Sequence, residues 1–126
     1  MNPTAKRVRS ALLKIDGVLE SPGVFGEGDG FWVNGKQMGN WRGDAEIELR
    51  LTRPVIRVHQ DRLRVDHRVH IRGSSDWLTV TFESNKDVPF VAELGELAAA
   101  AHRAGPGMAA KPPPTGADLE RRRRFH

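Results

Sequence analysis

Arginines concentrate in one stretch of the chain, between Arg50 and Arg72. Seven arginines fall there against two acids, Asp61 and Asp66, which gives a local net charge of +5. A guanidinium presents paired N–H donors that match the two oxygens of a carboxylate or phosphate. The stretch therefore suits recognition of an anion, and the alternative is a solvated face balanced by the acidic segment 44–48.

His70 is the histidine best placed to do chemistry, because a turn at residues 73–76 follows it closely. Ser74 and Ser75 in that turn raise a Ser–His hydrolytic pair as one alternative. Turns, however, select serine for local backbone hydrogen bonds, and no Gly-x-Ser-x-Gly elbow accompanies the pair. The residues favour a protein that is not an enzyme, and no catalytic residue is assigned.

A metal site would have to draw on His59, His67 and His70, together with Asp66 or Asp76. Imidazole and carboxylate are proper zinc ligands, but this spacing matches no known zinc site. His67 and His70 would also point to opposite faces of an extended segment. The chain has no cysteine, which excludes disulfides and thiolate chemistry. We therefore predict neither a metal nor a cofactor.

The strand expected at residues 77–82 is the clearest element near these side chains. Its residues alternate, with Leu78, Val80 and Phe82 on one side and Trp77 on the other. Period two with β-branched and aromatic residues is typical of a strand with one buried face.

Further strands are expected upstream. Asn34-Gly35 stands between two runs that contain apolar residues, and both residues accept the positive φ angles of a type I′ hairpin turn. Residues 45–51 alternate charged with aliphatic side chains, as in a half-buried strand. Three consecutive antiparallel strands are therefore expected.

Two amphipathic helices flank the strands. Residues 4–19 carry an apolar stripe at three- and four-residue spacing, and Thr4 can cap them. A second helix is expected to begin near Asp87 and to end near Arg103, because Pro89 fits only within its first turn.

Residues 52–63 suit either a short helix or a strand. Thr52 as a cap and Pro54 in the first turn favour a helix, whereas Val-Ile-Arg-Val alone would suit a strand. We predict a short helix, followed by an extended return over residues 64–71.

These elements predict an α+β domain over residues 1–104. An antiparallel sheet of four to five strands would be packed on one face by the N- and C-terminal helices. The open face would carry the candidate ligand-binding side chains, including an accessible Trp41. The candidate residues are Asn40, Trp41, Arg42, Arg68, His70, Arg72 and Trp77.

Three short runs in this order resemble the bacterial luciferase-domain family, most of whose members have no established function. The runs are Ser-Pro-Gly-Val at 21–24, Phe-Trp-Val-Asn-Gly-Lys-Gln-Met-Gly at 31–39 and Ser-Ser-Asp-Trp-Leu-Thr-Val at 74–80. The chain is similar, more distantly, to small α+β domains of the MmcQ/YjbR type. The resemblance covers roughly residues 4–103, and its most specific part is His70 placed seven residues before Trp77.

One family landmark is altered in this chain. The family pattern implies a Gly-His-x-His-Gly-like run after the first hairpin, and residues 39–43 read Gly-Asn-Trp-Arg-Gly. Asn40 and Arg42 replace both histidines. The resemblance therefore implies no metal or acid–base role at these two positions.

The net charge of +4 raises nucleic acid as a possible partner. The excess lies mainly after Gly105, where residues 121–124 are all arginine, while residues 1–104 are nearly balanced. We expect residues 105–126 to form a disordered Pro/Arg-rich tail. No apolar run approaches the roughly 20 residues of a membrane span, and no signal-peptide core is present, so a cytoplasmic protein without membrane contact is expected.

The sequence favours a small non-enzymatic binding module for an anionic small ligand or a protein partner. A nucleic-acid-binding domain that uses the arginine-rich segment and the tail is one alternative. A hydrolase or metalloenzyme that depends on His70 is the other. A cleft with apolar walls would favour the binding module, a continuous basic groove the nucleic-acid domain, and an ordered metal the enzyme.

Overall fold

The computed structural model describes residues 2–22 and 29–103. Within these residues, six strands and four α-helices follow one another, with a 3₁₀ turn at Asn85–Asp87. Their order is α1 (Pro3–Leu13), β1 (Leu19–Pro22), β2 (Asp29–Val33), β3 (Lys36–Trp41), β4 (Glu46–Arg50), α2 (Arg53–Val58), α3 (Gln60–Val65), β5 (Val69–Ile71), β6 (Trp77–Thr81) and α4 (Val88–Arg103).

The strands form one antiparallel sheet in the order β1-β2-β3-β4-β6-β5. Helices α1 and α4 pack on each other and cover one of its faces. The α+β prediction is confirmed, with six strands where four to five were expected. The additional strand is β1.

The first helix is shorter than its apolar stripe predicted. It ends at Leu13 and not at Leu19, because Gly17 adopts a φ of +82° and the chain turns into β1. Leu19 pairs with Trp32 in that strand. The cap is also not the predicted Thr4: the Asn2 side chain accepts a hydrogen bond from the N–H of Ala5 at 2.7 Å.

The β2–β3 hairpin forms as predicted. Asn34 and Gly35 have φ angles of 55° and 74°, the left-handed values that a type I′ turn requires. The register shifts between Phe31 and Trp32, which marks a β-bulge in this ribbon.

The core lies between the sheet and the helices α1 and α4. Leu78, Val80 and Phe82 are almost completely buried there, which confirms the predicted inward face of β6. Gly95 on α4 lets the two helices approach closely, since a Cβ at that position would collide with Leu12 of α1.

The segment between β4 and β5 is helical, as predicted, but it forms two short helices that meet at His59. Thr52 has a φ of 77° and makes no side-chain cap bond, so its predicted capping role is wrong. Ile56 and Leu63 are buried against the core. The predicted extended return over residues 64–71 holds only for β5, because α3 continues to Val65.

Helix α4 follows a capping box formed by Ser84 and Asp87, and it ends at Arg103, close to the predicted bounds. No helix in residues 2–22 and 29–103 has the length and apolar content to cross a membrane. The predicted disordered tail and the domain boundary at residue 104 lie outside the described residues.

Candidate functional site

A cleft of about 450 Å³ lies where the edge strand β5 meets α2, α3 and the turn after β5. This volume falls within the range of small-molecule sites. The residues that line the cleft are Arg53, Ile56, Arg57, Gln60, Leu63, Arg64, Val69, His70, Ile71, Gly73, Ser74 and Ser75.

Aliphatic side chains form the apolar part of this cleft. Ile56 and Leu63 are buried on the inner sides of α2 and α3. Val69 and Ile71 pair in register with core residues of β6, so the pleat turns both toward the core face, where they are half-buried. The apolar part of the cleft is thus continuous with the core of the domain.

The side chains of three arginines in the cleft have no acidic partner within the described residues, although the backbone N–H of Arg53 donates to Asp76 Oδ1 at 2.8 Å. Arg53, Arg57 and Arg64 are exposed, and none of them forms an ion pair with any residue in 2–22 or 29–103. Among the described residues, no aspartate or glutamate belongs to the lining. Arg62, on the same pair of helices, is by contrast paired with Glu93 of α4 at 3.0 Å. The cleft therefore combines apolar surface with uncompensated positive charge.

The serines of the turn and His70 are close in sequence and all line the cleft. Ser75 Oγ accepts a hydrogen bond from the N–H of Trp77 at 3.0 Å, which fixes it as a turn residue. No hydrogen bond within the described ranges joins His70 to Ser74 or Ser75. Ser74, Ser75 and His70 thus line the cleft as polar groups that are not hydrogen-bonded to one another within the described residues.

Of the seven candidate residues from the sequence, His70 is the one that lines the cleft. It also faces the open side of the sheet, in a cross-strand row with Thr79, Glu48 and Asn40. Arg42 lies on that side too, and its Nη1 is 3.5 Å from Oε1 of Glu48. Asn40 and Arg42 thus share a face with His70 but are separated from it by two strands.

The expectation that Trp41 is accessible is wrong. Trp41 is 9% exposed and faces the core opposite Ile47. Its ring makes edge-to-face contacts with Phe31 and Phe82, with ring centroids 5.7 and 6.3 Å away. Neighbouring side chains on a strand point to opposite faces, so Asn40 and Trp41 cannot share the open face.

Arg68 is held in an ion-pair cluster on the helix side of the sheet, so its predicted place on the open face is wrong. Its guanidinium donates to Asp66 at 2.8 and 2.9 Å and to Asp87 at 3.0 Å, and it stacks over the ring of Phe90. The hydrogen bond from Arg68 lowers the pKa of Asp66 from 3.8 to about 2. Asp66 in turn raises the pKa of Arg68. The two carboxylates leave this cation little capacity for a ligand.

Arg72 and Trp77 stand beside the cleft without lining it. Arg72 is exposed, and its carbonyl accepts a hydrogen bond from Ser75 N at 2.9 Å. Trp77 pairs with Arg50 on β4 and is half-buried on the open face.

The cleft arginines were within the arginine-rich segment but were not singled out from the sequence. Arg53 and Arg57 are four residues apart, the spacing that aligns side chains on one helical face. This spacing identifies Arg53 and Arg57 as neighbours only if the segment is helical. Arg64 could be identified as a cleft residue only from the position of α3 in the structure.

No group of three or more histidines, aspartates and glutamates in residues 2–22 and 29–103 is placed to hold a metal ion. His59 Nδ1 accepts a hydrogen bond from Arg62 Nε at 3.3 Å, in the joint between α2 and α3.

Comparison of the chain with known protein families, with curated proteins and with solved structures finds no match.

Proposed function

We propose that this chain is a non-enzymatic binding module whose cleft takes an organic anion. The carboxylate or phosphate of the ligand meets Arg53, Arg57 and Arg64, and its apolar part rests on Ile56 and Leu63. One observation carries the proposal: three arginines whose side chains form no ion pair within residues 2–22 and 29–103 line a cleft that also has aliphatic walls.

Physical chemistry supports an anion over a neutral or cationic ligand. A hydrogen bond to a charged group contributes about 1.5–3 kcal/mol, roughly twice a neutral one. Like-charged guanidinium groups around one cleft repel one another, and a bound anion relieves that repulsion. Apolar walls beside a few convergent polar groups are common in small-molecule sites, and this cleft combines Ile56 and Leu63 with three arginines.

Calorimetric titration of the full chain with phthalate and with phenyl phosphate tests the proposal. Both probes combine an anionic group with an apolar ring. We expect binding that weakens at least about tenfold in an Arg53→Gln/Arg57→Gln variant, since two charge-assisted contacts are lost. The matched control is Arg7→Gln/Arg103→Gln, which removes the same charge from exposed positions on α1 and α4. No binding to the wild type, or equal weakening by both pairs, would contradict the proposal.

The same variants separate this proposal from nucleic-acid binding. An oligonucleotide held by the arginines at 121–124 would bind the Arg53→Gln/Arg57→Gln variant normally, and its affinity would fall steeply with salt through counterion release. Replacing those four arginines with glutamine in the full chain would remove that binding and leave phthalate unaffected. Loss of oligonucleotide but not of phthalate in the cleft variant would favour the nucleic-acid alternative.

A further inference from the structure

Strand β5 leaves one edge of the sheet open. It is the terminal strand of the six, and within the described residues it pairs on one side, with β6. The opposite terminal strand, β1, ends in Pro22, which has no backbone N–H to offer. β5 contains neither proline nor lysine, two residues that commonly protect edge strands.

Main-chain groups of Val69 and Ile71 point away from the sheet at this edge. Thr81 N donates to Arg68 O at 2.8 Å, and hydrogen-bonded pairs alternate with non-bonded pairs along an antiparallel ladder. Val69 and Ile71 are therefore at non-bonded positions opposite β6. Their N–H and C=O groups face outward, and the Val69 N–H is taken by the carbonyl of Asp66 at 3.1 Å.

The remaining outward groups belong to residues that line the cleft. The Ile71 N–H, the Ile71 carbonyl and the Val69 carbonyl have no hydrogen-bond partner in residues 2–22 and 29–103. An edge with free donors and acceptors is a template for an added strand. The cleft thus offers main-chain pairing next to Arg53, Arg57 and Arg64.

We infer that the cleft binds an extended acidic segment of a partner protein, which adds to the sheet as a further strand beside β5. This inference rests on the proposed function, because the same three arginines supply the charge. β5 is three residues long, about 10 Å at the usual rise of a strand, so three or four residues of the partner pair with it. The absence of acids from the cleft lining selects an acidic segment over a basic one.

The spacing of the arginines indicates how the acids of the partner are arranged. Arg53 and Arg57 are one helical turn apart, about 6 Å along α2. Every second side chain of a strand points the same way, and residues i and i+2 are about 7 Å apart along the strand. In an added strand that runs along α2, carboxylates at alternate positions would have nearly the spacing of the two arginines. We expect Glu or Asp at every second residue of the bound segment.

Fluorescence polarisation with the full chain and a labelled hexapeptide of alternating Glu and Val, blocked at both ends, tests this inference. Two further peptides carry N-methyl groups, one on every Glu nitrogen and the other on every Val nitrogen. Only one of these two sets faces β5 in a paired strand, because N–H direction alternates along the chain. We expect one methylated peptide to lose at least about tenfold in affinity and the other to change by less than about threefold.

The outcomes separate this inference from the proposed function. Equal affinity of the two methylated peptides would overturn strand addition, and so would a peptide that fails to bind while phthalate binds. In both cases the anion site would stand. Failure of both the peptide and phthalate would remove both proposals.

An Ile71→Pro variant tests the edge from the protein side, with Ile71→Val as its control. Proline removes an N–H that the β6 ladder does not use, which edge strands tolerate. We expect the proline variant to bind the unmethylated peptide at least about tenfold more weakly than the Ile71→Val control does. Unchanged peptide affinity in a folded proline variant would overturn the inference. If the variant does not fold, the methylated peptides decide.

Discussion

Arg68 and Asp66 form a two-pronged ion pair that closes the turn between α3 and β5. Arg68 Nε and Nη2 donate to the two carboxylate oxygens of Asp66 at 2.9 and 2.8 Å, and the Arg68 backbone N–H adds a third bond at 3.0 Å. The remaining Arg68 Nη1 reaches Asp87, just before α4. The cluster thus ties the start of the cleft strand to the helix layer.

Removal of the Arg68 charge should destabilise the fold. Arg68→Met leaves Asp66 and Asp87 largely buried without their cation, at a cost of about 2–3 kcal/mol in the free energy of unfolding at neutral pH. Arg64→Met, at an exposed arginine without an ion pair, should change it by less than about 0.5 kcal/mol. Urea denaturation of both variants measures the difference. Equal stability of the two would show that the cluster contributes nothing.

The contribution of this cluster should disappear in acid. Hydrogen bonds from Arg68 lower the pKa of Asp66 from 3.8 to about 2. The pKa of Asp87 is also lowered, mainly by the hydrogen bond that its carboxylate accepts from the backbone N–H of Glu83 and also by the one from Arg68. A lowered carboxyl pKa gives stability that is complete above 3.8 and is lost as the pH falls toward 2. The stability gap between wild type and Arg68→Met should therefore narrow by about 2 kcal/mol between about pH 5 and pH 2. A stability difference between wild type and Arg68→Met that stays constant over this pH interval would contradict the conclusion that Arg68 lowers the pKa of Asp66.

Close packing of α1 on α4 at Gly95 predicts a second stability effect. Gly95→Val forces Leu12 and Ile15 to move, and overpacking of this kind costs about 1–3 kcal/mol. Ala100→Val places the same side chain at an exposed position of the same helix, where it extends into solvent and not against α1. Thermal unfolding should show a lower midpoint for Gly95→Val than for the control. A midpoint for Gly95→Val above that of the control would mean that α1 and α4 accommodate the valine without loss of stability.

His102 predicts a loss of stability below neutral pH. Its ring is buried, with Nδ1 2.8 Å from the carbonyl oxygen of Ala98, and burial lowers the pKa of His102 below 6.5. A histidine that is buried neutral gives stability that is complete above its unfolded pKa and is lost as the pH falls below it. The free energy of unfolding of the wild type should therefore drop relative to His102→Gln between about pH 7.5 and pH 5. Parallel pH profiles for the two proteins would contradict this expectation.

Local patterns predicted most of the fold. The alternation around Val80, the turn residues Asn34-Gly35 and the start of α4 near Asp87 each depend on neighbours in sequence, and each forms as expected. The end of α1 was misjudged because Leu19 continues the apolar spacing of the helix and yet belongs to β1. Pairing with Trp32, far along the chain, decides that position. The resemblance to the luciferase-domain family stays a prediction.

Sequence patterns pointed to the segment that lines the cleft, but of the seven residues selected from them His70 is the one in the lining. The arginine-rich segment does line a cleft, but the selection of Arg68 overlooked Asp87, which lies 19 residues away in sequence and 3.0 Å away in space. Trp41 was selected with Asn40 and Arg42 by adjacency, although the pleat of a strand separates neighbours. Arg53 and Arg57 emerge only from the position of α2 beside β5. Tertiary pairing of charges therefore decides which arginines are available to a ligand.

Titration of the isotope-labelled full chain with phthalate, followed by amide and arginine Nε chemical shifts, shows directly where the anion binds. If it binds in the cleft, saturable shifts will cluster at Arg53, Arg57, Arg64 and the amides of Gly73 and Ser74. Shifts confined to Asn40 and Arg42 on the open face, shifts confined to residues 121–124, or no saturable shift at all would contradict binding in the cleft.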